Sequence, residues 1–116
     1  MNKRKAGAAG EQIAVEYLKE HGYAILKCNY FTRYGEIDII ATERDTLVFV
    51  EVKTRKDAAF GAAAQAVTFK KQETMKTVAG IYIQQECEKE MNARFDIIEV
   101  YTKDTVRINH ITNAFF

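Results

Sequence analysis

The chain has 116 residues, 47% of them hydrophobic and 28% charged, with a formal net charge of +1. That length suits one compact domain, which buries roughly 60–70% of the surface its unfolded form exposes and so needs no metal or disulfide staple. The charge balance excludes a wholly basic nucleic-acid coat while leaving room for a local basic patch. No apolar run approaches the ~18 residues of a membrane span. Residues 5–21 place Gly10, Ile13, Ala14, Tyr17 and Leu18 at helical spacing, with Gly22 as a left-handed cap. Residues 23–29, 35–42 and 46–54 then read as three strands rich in β-branched and aromatic residues, the last two joined by a turn at Glu43, Arg44 and Asp45. Residues 55–66, small and containing Gly61, read as a loop. A second helix is expected from Thr68, with Met75, Val78, Ala79, Tyr82 and Ile83 as one apolar stripe, ending before Met91. Residues 94–101 and 106–111 complete a hairpin turning at Lys103 and Asp104.

The order is therefore α-β-β-β-α-β-β, and the second helix is long enough to cross over and make the third and fourth strands parallel. A mixed sheet flanked by helices is expected, as a single domain over residues 1–116. The absence of proline removes any Pro-rich linker. Cys28 and Cys87 match no metal spacing. With no apolar N-terminal segment for export, a reducing, cytoplasmic setting is expected.

The stretch GEIDIIATERDTLVFVEVKTR, residues 35–55, is the most informative. A hairpin centred on Arg44 and Asp45 sets Asp38 opposite Glu51, Glu36 opposite Lys53 and Ile40 opposite Phe49. It gathers Ile37, Ile39, Ala41, Val48, Val50 and Val52 on the other face, as period-2 burial demands. Facing carboxylates with Cβ atoms ~4.5–5.5 Å apart repel unless neutralised. Mg²⁺ or Mn²⁺ would do so, and sites of one or two carboxylates plus water and a substrate phosphate suit Mg²⁺. Lys53, two residues on, reaches the same space and can orient a water or stabilise phosphoryl charge. The plainer alternative is a solvated sheet face with weak ion pairs worth ~0–1 kcal/mol.

The blocks GEIDIIA, FVEVKTR, FG, AVTFKK, RFDIIEV and INHITNAF, spread over nearly the whole chain, resemble the YraN family of bacterial endonuclease-like proteins. That family is similar to the Holliday junction resolvases and the wider PD-(D/E)XK nuclease superfamily. The resemblance implies a restriction-endonuclease-like α/β fold and a metal-dependent nuclease acting on DNA, including branched intermediates. Asp38 and Glu51 would ligate the metal, Lys53 would be catalytic, and Glu11 would match the helix-one acid of the resolvases as a further ligand. Gly35, Glu36 and Ile37 precede Asp38 where many superfamily members carry a proline. A homodimer is implied by the two-fold symmetric substrates of resolvases. The alternative is a nucleic-acid-binding module that does not cleave.

Several positions support either reading. Glu11 also suits the first turn of a helix through the dipole. Lys70 and Lys71 open the second helix, where that dipole disfavours cations, so a compensating partner or a bound phosphate is expected, with Lys71 directed toward the buried side. Gln65 is a candidate polar contact. Arg33, Arg55, Lys56, Lys3, Arg4 and Lys5 would form a basic rim for a phosphate backbone if they cluster. Tyr30, Phe31 and Tyr34, read as loop residues, either stack on bases or pack. His21 and His110 have no zinc spacing and read as surface or packing residues.

Overall fold

A computed structural model describes residues 2–56 and 67–116, with the side chains of residues 2–7 outside the description. The elements are α1 (Asn2–Glu20), β1 (Ala24–Thr32), β2 (Gly35–Glu43), β3 (Thr46–Arg55), α2 (Phe69–Glu86), β4 (Asn92–Tyr101) and β5 (Arg107–Phe115). The strands form one sheet in the order β1-β2-β3-β4-β5, antiparallel except for the parallel β3/β4 pair that α2 bridges. This is the mixed α/β architecture and element order expected, and it is consistent with a resolvase-like fold.

The two helices cover opposite faces because the β2 and β3 sequences alternate. On one face Ala14, Val15 and Leu18 of α1 bury Ile39, Ala41, Val48, Val50, Ile98 and Val100. On the other, Val78, Ala79 and Tyr82 of α2 bury Ile37, Ile40, Leu47 and Phe49. Each large aliphatic or aromatic side chain so buried contributes about 1.5–3 kcal/mol. Thr68 caps α2 by accepting the Lys71 N–H on its hydroxyl oxygen at 3.1 Å.

The β2–β3 turn is tight, with Arg44 at φ 55° and the expected register: Ile39 with Val50, Ile40 with Phe49, Ala41 with Val48. The ladder stops there, so Asp38/Glu51 and Glu36/Lys53 are not ladder pairs as expected. The Asp38 carboxylate instead takes the Val52 N–H on Oδ2 at 2.8 Å, supplying from a side chain the acceptor that the main chain would otherwise provide. The alternation breaks at the same place, and Ile37 packs on the α2 face, not with Ile39 as expected. Two irregularities accompany the change of face. Asn29 of β1, the position that would oppose Asp38, has a left-handed φ of 53°. Gly35 brings the start of β2 so close to α2 that a Cβ there would lie 2.5 Å from Thr74 Cγ2.

Two strands run longer than their sequence suggests. β1 continues through Tyr30, Phe31 and Thr32, which pair with Ile37, Glu36 and Gly35. Tyr30 and Phe31 are therefore strand residues, in keeping with the β-propensity of aromatic and β-branched side chains. β5 reaches Phe115, whose ring stacks on Phe95 at 5.0 Å.

Candidate active site

The parting of β2 from β3 beyond Ile39/Val50 creates a fork, and the acids lie in it. Glu51 follows Val50 on the α2 face and is only 6% exposed. Its Oε2 lies 3.4 Å from Lys53 Nζ, and its Oε1 lies 3.6 Å from Lys71 Nζ at the start of α2. Glu51 is thus the compensating partner for a cation in the first turn of that helix. The Asp38 carboxyl is pushed up to about 7. Burial does most of this, the Glu51 charge adds to it, the Val52 N–H opposes it, and Glu11 and Glu36 raise it further.

α1 lies very close to β3 at this point, because Gly10 has no side chain: a Cβ there would collide with Thr54 Oγ1 and lie 3.3 Å from Thr54 Cβ. That approach lets the next residue, Glu11, act on Asp38 through its charge. Among the described residues no three His, Cys, Asp or Glu side chains gather tightly enough to hold one ion, so Glu11 is not drawn into a three-acid set. The donor set still fits a hard divalent cation. Asp38 and Glu51 offer carboxylate oxygens crowded enough that one of them retains its proton near neutrality, and a cation can replace that proton. A site with two protein carboxylates leaves its other positions to water and substrate oxygens.

Asp38, Glu51, Lys53 and Lys71 are therefore brought together. Lys70 is exposed beside Lys71. Exposed Arg33 lies over the ring of Tyr34, 4.8 Å from its centroid, and donates to its hydroxyl at 2.6 Å. Arg55 is half-buried, with Nε wholly enclosed and without a hydrogen-bond partner. Lys56 is exposed. Gln65 lies outside the described residues, as do the side chains of Lys3, Arg4 and Lys5. Tyr30 packs edge-on against Tyr82 and donates to Gln85 Oε1 at 3.2 Å, whereas Phe31 and Tyr34 are exposed.

Sequence reasoning missed the buried acids of β4. Asp96 is fully enclosed. It accepts from Arg94 Nε and Nη2 at 3.0 and 3.2 Å and from the Asn113 N–H at 3.0 Å, and lies 2.8 Å from His110 Nε2. Arg94 also donates to Glu43 and Tyr23, and Tyr17 of α1 meets His110 Nδ1 at 3.1 Å. This clasp joins α1, β2, β4 and β5, so His110 is a packing residue with a specific partner. Glu99, also fully buried, accepts from Asn109 Nδ2 at 2.7 Å. A signal for both acids was present: β4 lies beyond a helical crossover and between two other strands, so both its faces are covered and its acids go inside.

Fold and site together define a resolvase-like α/β domain with an acid–acid–lysine cluster at a strand fork. The profile of the uncharacterised protein family UPF0102 matches residues 10–100, and the chain belongs to that family, the YraN family its sequence blocks resemble. It is 55% identical to a UPF0102 protein of Alkaliphilus oremlandii, over 99% of this chain and 100% of the relative. Relatives from Caldicellulosiruptor saccharolyticus and Clostridioides difficile, also UPF0102 proteins, are 48% and 46% identical, each over 99% of this chain and 100% of their own length. No helix among the described residues is long and apolar enough to cross a membrane.

Proposed function

We propose that this protein is a Mg²⁺- or Mn²⁺-dependent nuclease that hydrolyses phosphodiester bonds in DNA, branched repair or recombination intermediates among them. The observation that carries the reading is the crowding at the fork: Asp38 held up to about 7 beside the nearly buried Glu51, with two lysines converging on Glu51. Asp38 and Glu51 would hold the ion, which when bound supplies an activated water and neutralises phosphate charge. Lys53, next to Glu51, orients the attacking water or donates to a phosphoryl oxygen as its charge grows. Lys71 and the capped start of α2 bind a neighbouring phosphate, where helix dipole and ammonium act in the same direction. Exposed Lys70 and Arg33 extend the grip along the backbone, and Glu11 adds negative charge that favours cation uptake. Two copies related by a two-fold axis would present two such sites to a symmetric substrate, a state that sedimentation with and without a four-way junction detects.

Calorimetric titration of Mn²⁺ and Mg²⁺, paired with cleavage of a panel of branched and linear DNAs, tests the reading. Wild type is expected to bind the ion and cut, and Asp38→Ala and Glu51→Ala to do neither. Lys53→Ala is expected to keep the ion and lose at least ~100-fold in turnover. Undiminished cleavage by Lys53→Ala would remove the lysine from the chemistry.

The second reading, a non-cleaving nucleic-acid-binding module, is favoured by one observation: Lys53 and Lys71 already neutralise Glu51 without any ion. Salt-dependent DNA binding with no ion uptake and no cutting would select it.

A further inference from the structure

The parallel β3/β4 ladder sets Lys53 beside Glu99, and the β4/β5 ladder sets Glu99 beside Asn109. All three side chains lie on the α2 face. Val52 packs into the α1-side cluster and Thr54 abuts Gly10 of α1, so Lys53 between them faces the other way. Ile98 and Val100 place Glu99 likewise. Glu99 is completely buried, and only half of its carboxylate is used: Oε1 accepts from Asn109, while Oε2 has no hydrogen-bond partner. Arg55 Nε, two ladder rows further on, is also buried and unpartnered, so the two do not satisfy one another. A buried carboxylate oxygen left without a donor is costly, and such an atom persists where something else uses it. Neighbouring strands lie only ~4.8 Å apart, well within the reach of a lysine side chain.

We infer that Glu99 is the positioning residue for Lys53: when a divalent cation engages Glu51, the Lys53 ammonium passes from Glu51 Oε2 to Glu99 Oε2. This inference rests on the metal-site reading above. In the ion-free chain Lys53 neutralises Glu51, and an incoming cation and that ammonium compete for the same oxygen. Glu99 resolves the competition by offering the displaced ammonium a fixed anionic partner on the adjacent strand, which keeps it beside the reacting phosphate. Asn109 holds the Glu99 carboxylate in place from the other side.

The test follows the Lys53 side-chain ammonium by ¹⁵N–¹H correlation in the full chain during Mg²⁺ titration, with the signal assigned by Lys53→Arg. In wild type, Mg²⁺ is expected to shift the Asp38 and Glu51 backbone amides and to convert the Lys53 signal to a slowly exchanging, hydrogen-bonded one. In Glu99→Gln the amides should shift with unchanged Mg²⁺ affinity while the ammonium stays in fast exchange, and kcat should fall ~10-fold at constant KM, equivalent to ~1.4 kcal/mol. If the Gln variant does not fold, Glu99→Met, which matches the apolar surroundings, carries the same readout. An ammonium that responds to Mg²⁺ identically with and without Glu99 overturns the assignment alone. Asp38 and Glu51 amides that ignore Mg²⁺ overturn the metal reading of the site, and this inference with it.

Discussion

Asp38 is half-buried and Asp96 fully enclosed, and their neighbours drive the two carboxyls in opposite directions. Asp38 titrates at about 7 in the folded chain against an ordinary 3.8, so between those values the folded state binds more protons than the unfolded one. Its contribution to stability is complete below 3.8 and is lost as pH rises toward 7. Asp38→Asn keeps an acceptor for the Val52 N–H and cannot ionise. It is expected to exceed wild type in stability by ~1–3 kcal/mol in urea melts at roughly pH 8, and to match it at roughly pH 4. In wild type, Mn²⁺ is expected to bind more tightly as pH rises, releasing a proton below pH ~7, as calorimetry in buffers of different ionisation enthalpy would register. Asp96 behaves conversely. Burial alone would raise its carboxyl, but the hydrogen bonds with His110, Arg94 and the Asn113 N–H outweigh it and hold the group below 3.8. Its stabilisation is present above 3.8 and lost as pH falls through the depressed value. Asp96→Ala leaves Arg94 with only Glu43 and Tyr23, deprives His110 and the buried Asn113 N–H of their shared acceptor, and is expected to cost ~3–5 kcal/mol in urea unfolding at neutral pH.

Helix α1 sits on β3 as closely as it does only because residue 10 is a glycine. Gly10→Ala is expected to destabilise the chain by ~1–3 kcal/mol as the helix lifts away. Thr54→Ala should restore part of that loss, a coupling that a double-mutant cycle measures by denaturant unfolding. The sequence made much of this level readable. The β2–β3 register follows from period-2 alternation around Arg44 and Asp45, and the stripe of Met75, Val78, Ala79 and Tyr82 is buried along α2 as its spacing requires. What it did not show depends mostly on contacts between distant segments. Ile37 takes the α2 side where Gly35 comes close to Thr74 of α2, and where the Asp38/Glu51 ladder pair is missing the Asp38 side chain accepts from the Val52 N–H. The extra length of β1 comes from a tight turn at Arg33 and Tyr34 that lets Tyr30, Phe31 and Thr32 pair with Ile37, Glu36 and Gly35, and that of β5 from the packing of Phe115 on Phe95 of the neighbouring strand.

Across the molecule, the acids and lysines of the fork and the Arg94–Asp96 clasp engage opposite faces of β3 and β4: Glu51 and Lys53 face α2, and Asp96 shares the α1 side with Ile98 and Val100. Glu51 and Lys53 lie late in β3 beside Ile97 and Glu99, whereas Arg94 and Asp96 lie early in β4 beside Val48 and Val50. Mutations at the two places are therefore expected to separate. Asp96→Asn should lower the melting temperature by several degrees and leave Mn²⁺ affinity of the folded protein within about twofold at pH 7, as ITC below the melting transition would measure.

The clasp also orders events during synthesis. Tyr17 emerges early from the ribosome, yet its partner His110, and the Asn113 amide that completes the shell around Asp96, are translated nearly a hundred codons later. A nascent chain halted before β5 can bury Ala14, Val15 and Leu18 on β2, β3 and β4 but lacks the hydrogen-bonded tie from Tyr17 through His110 to Asp96. Its first helix should be cut by protease more readily than in a chain that has added β5.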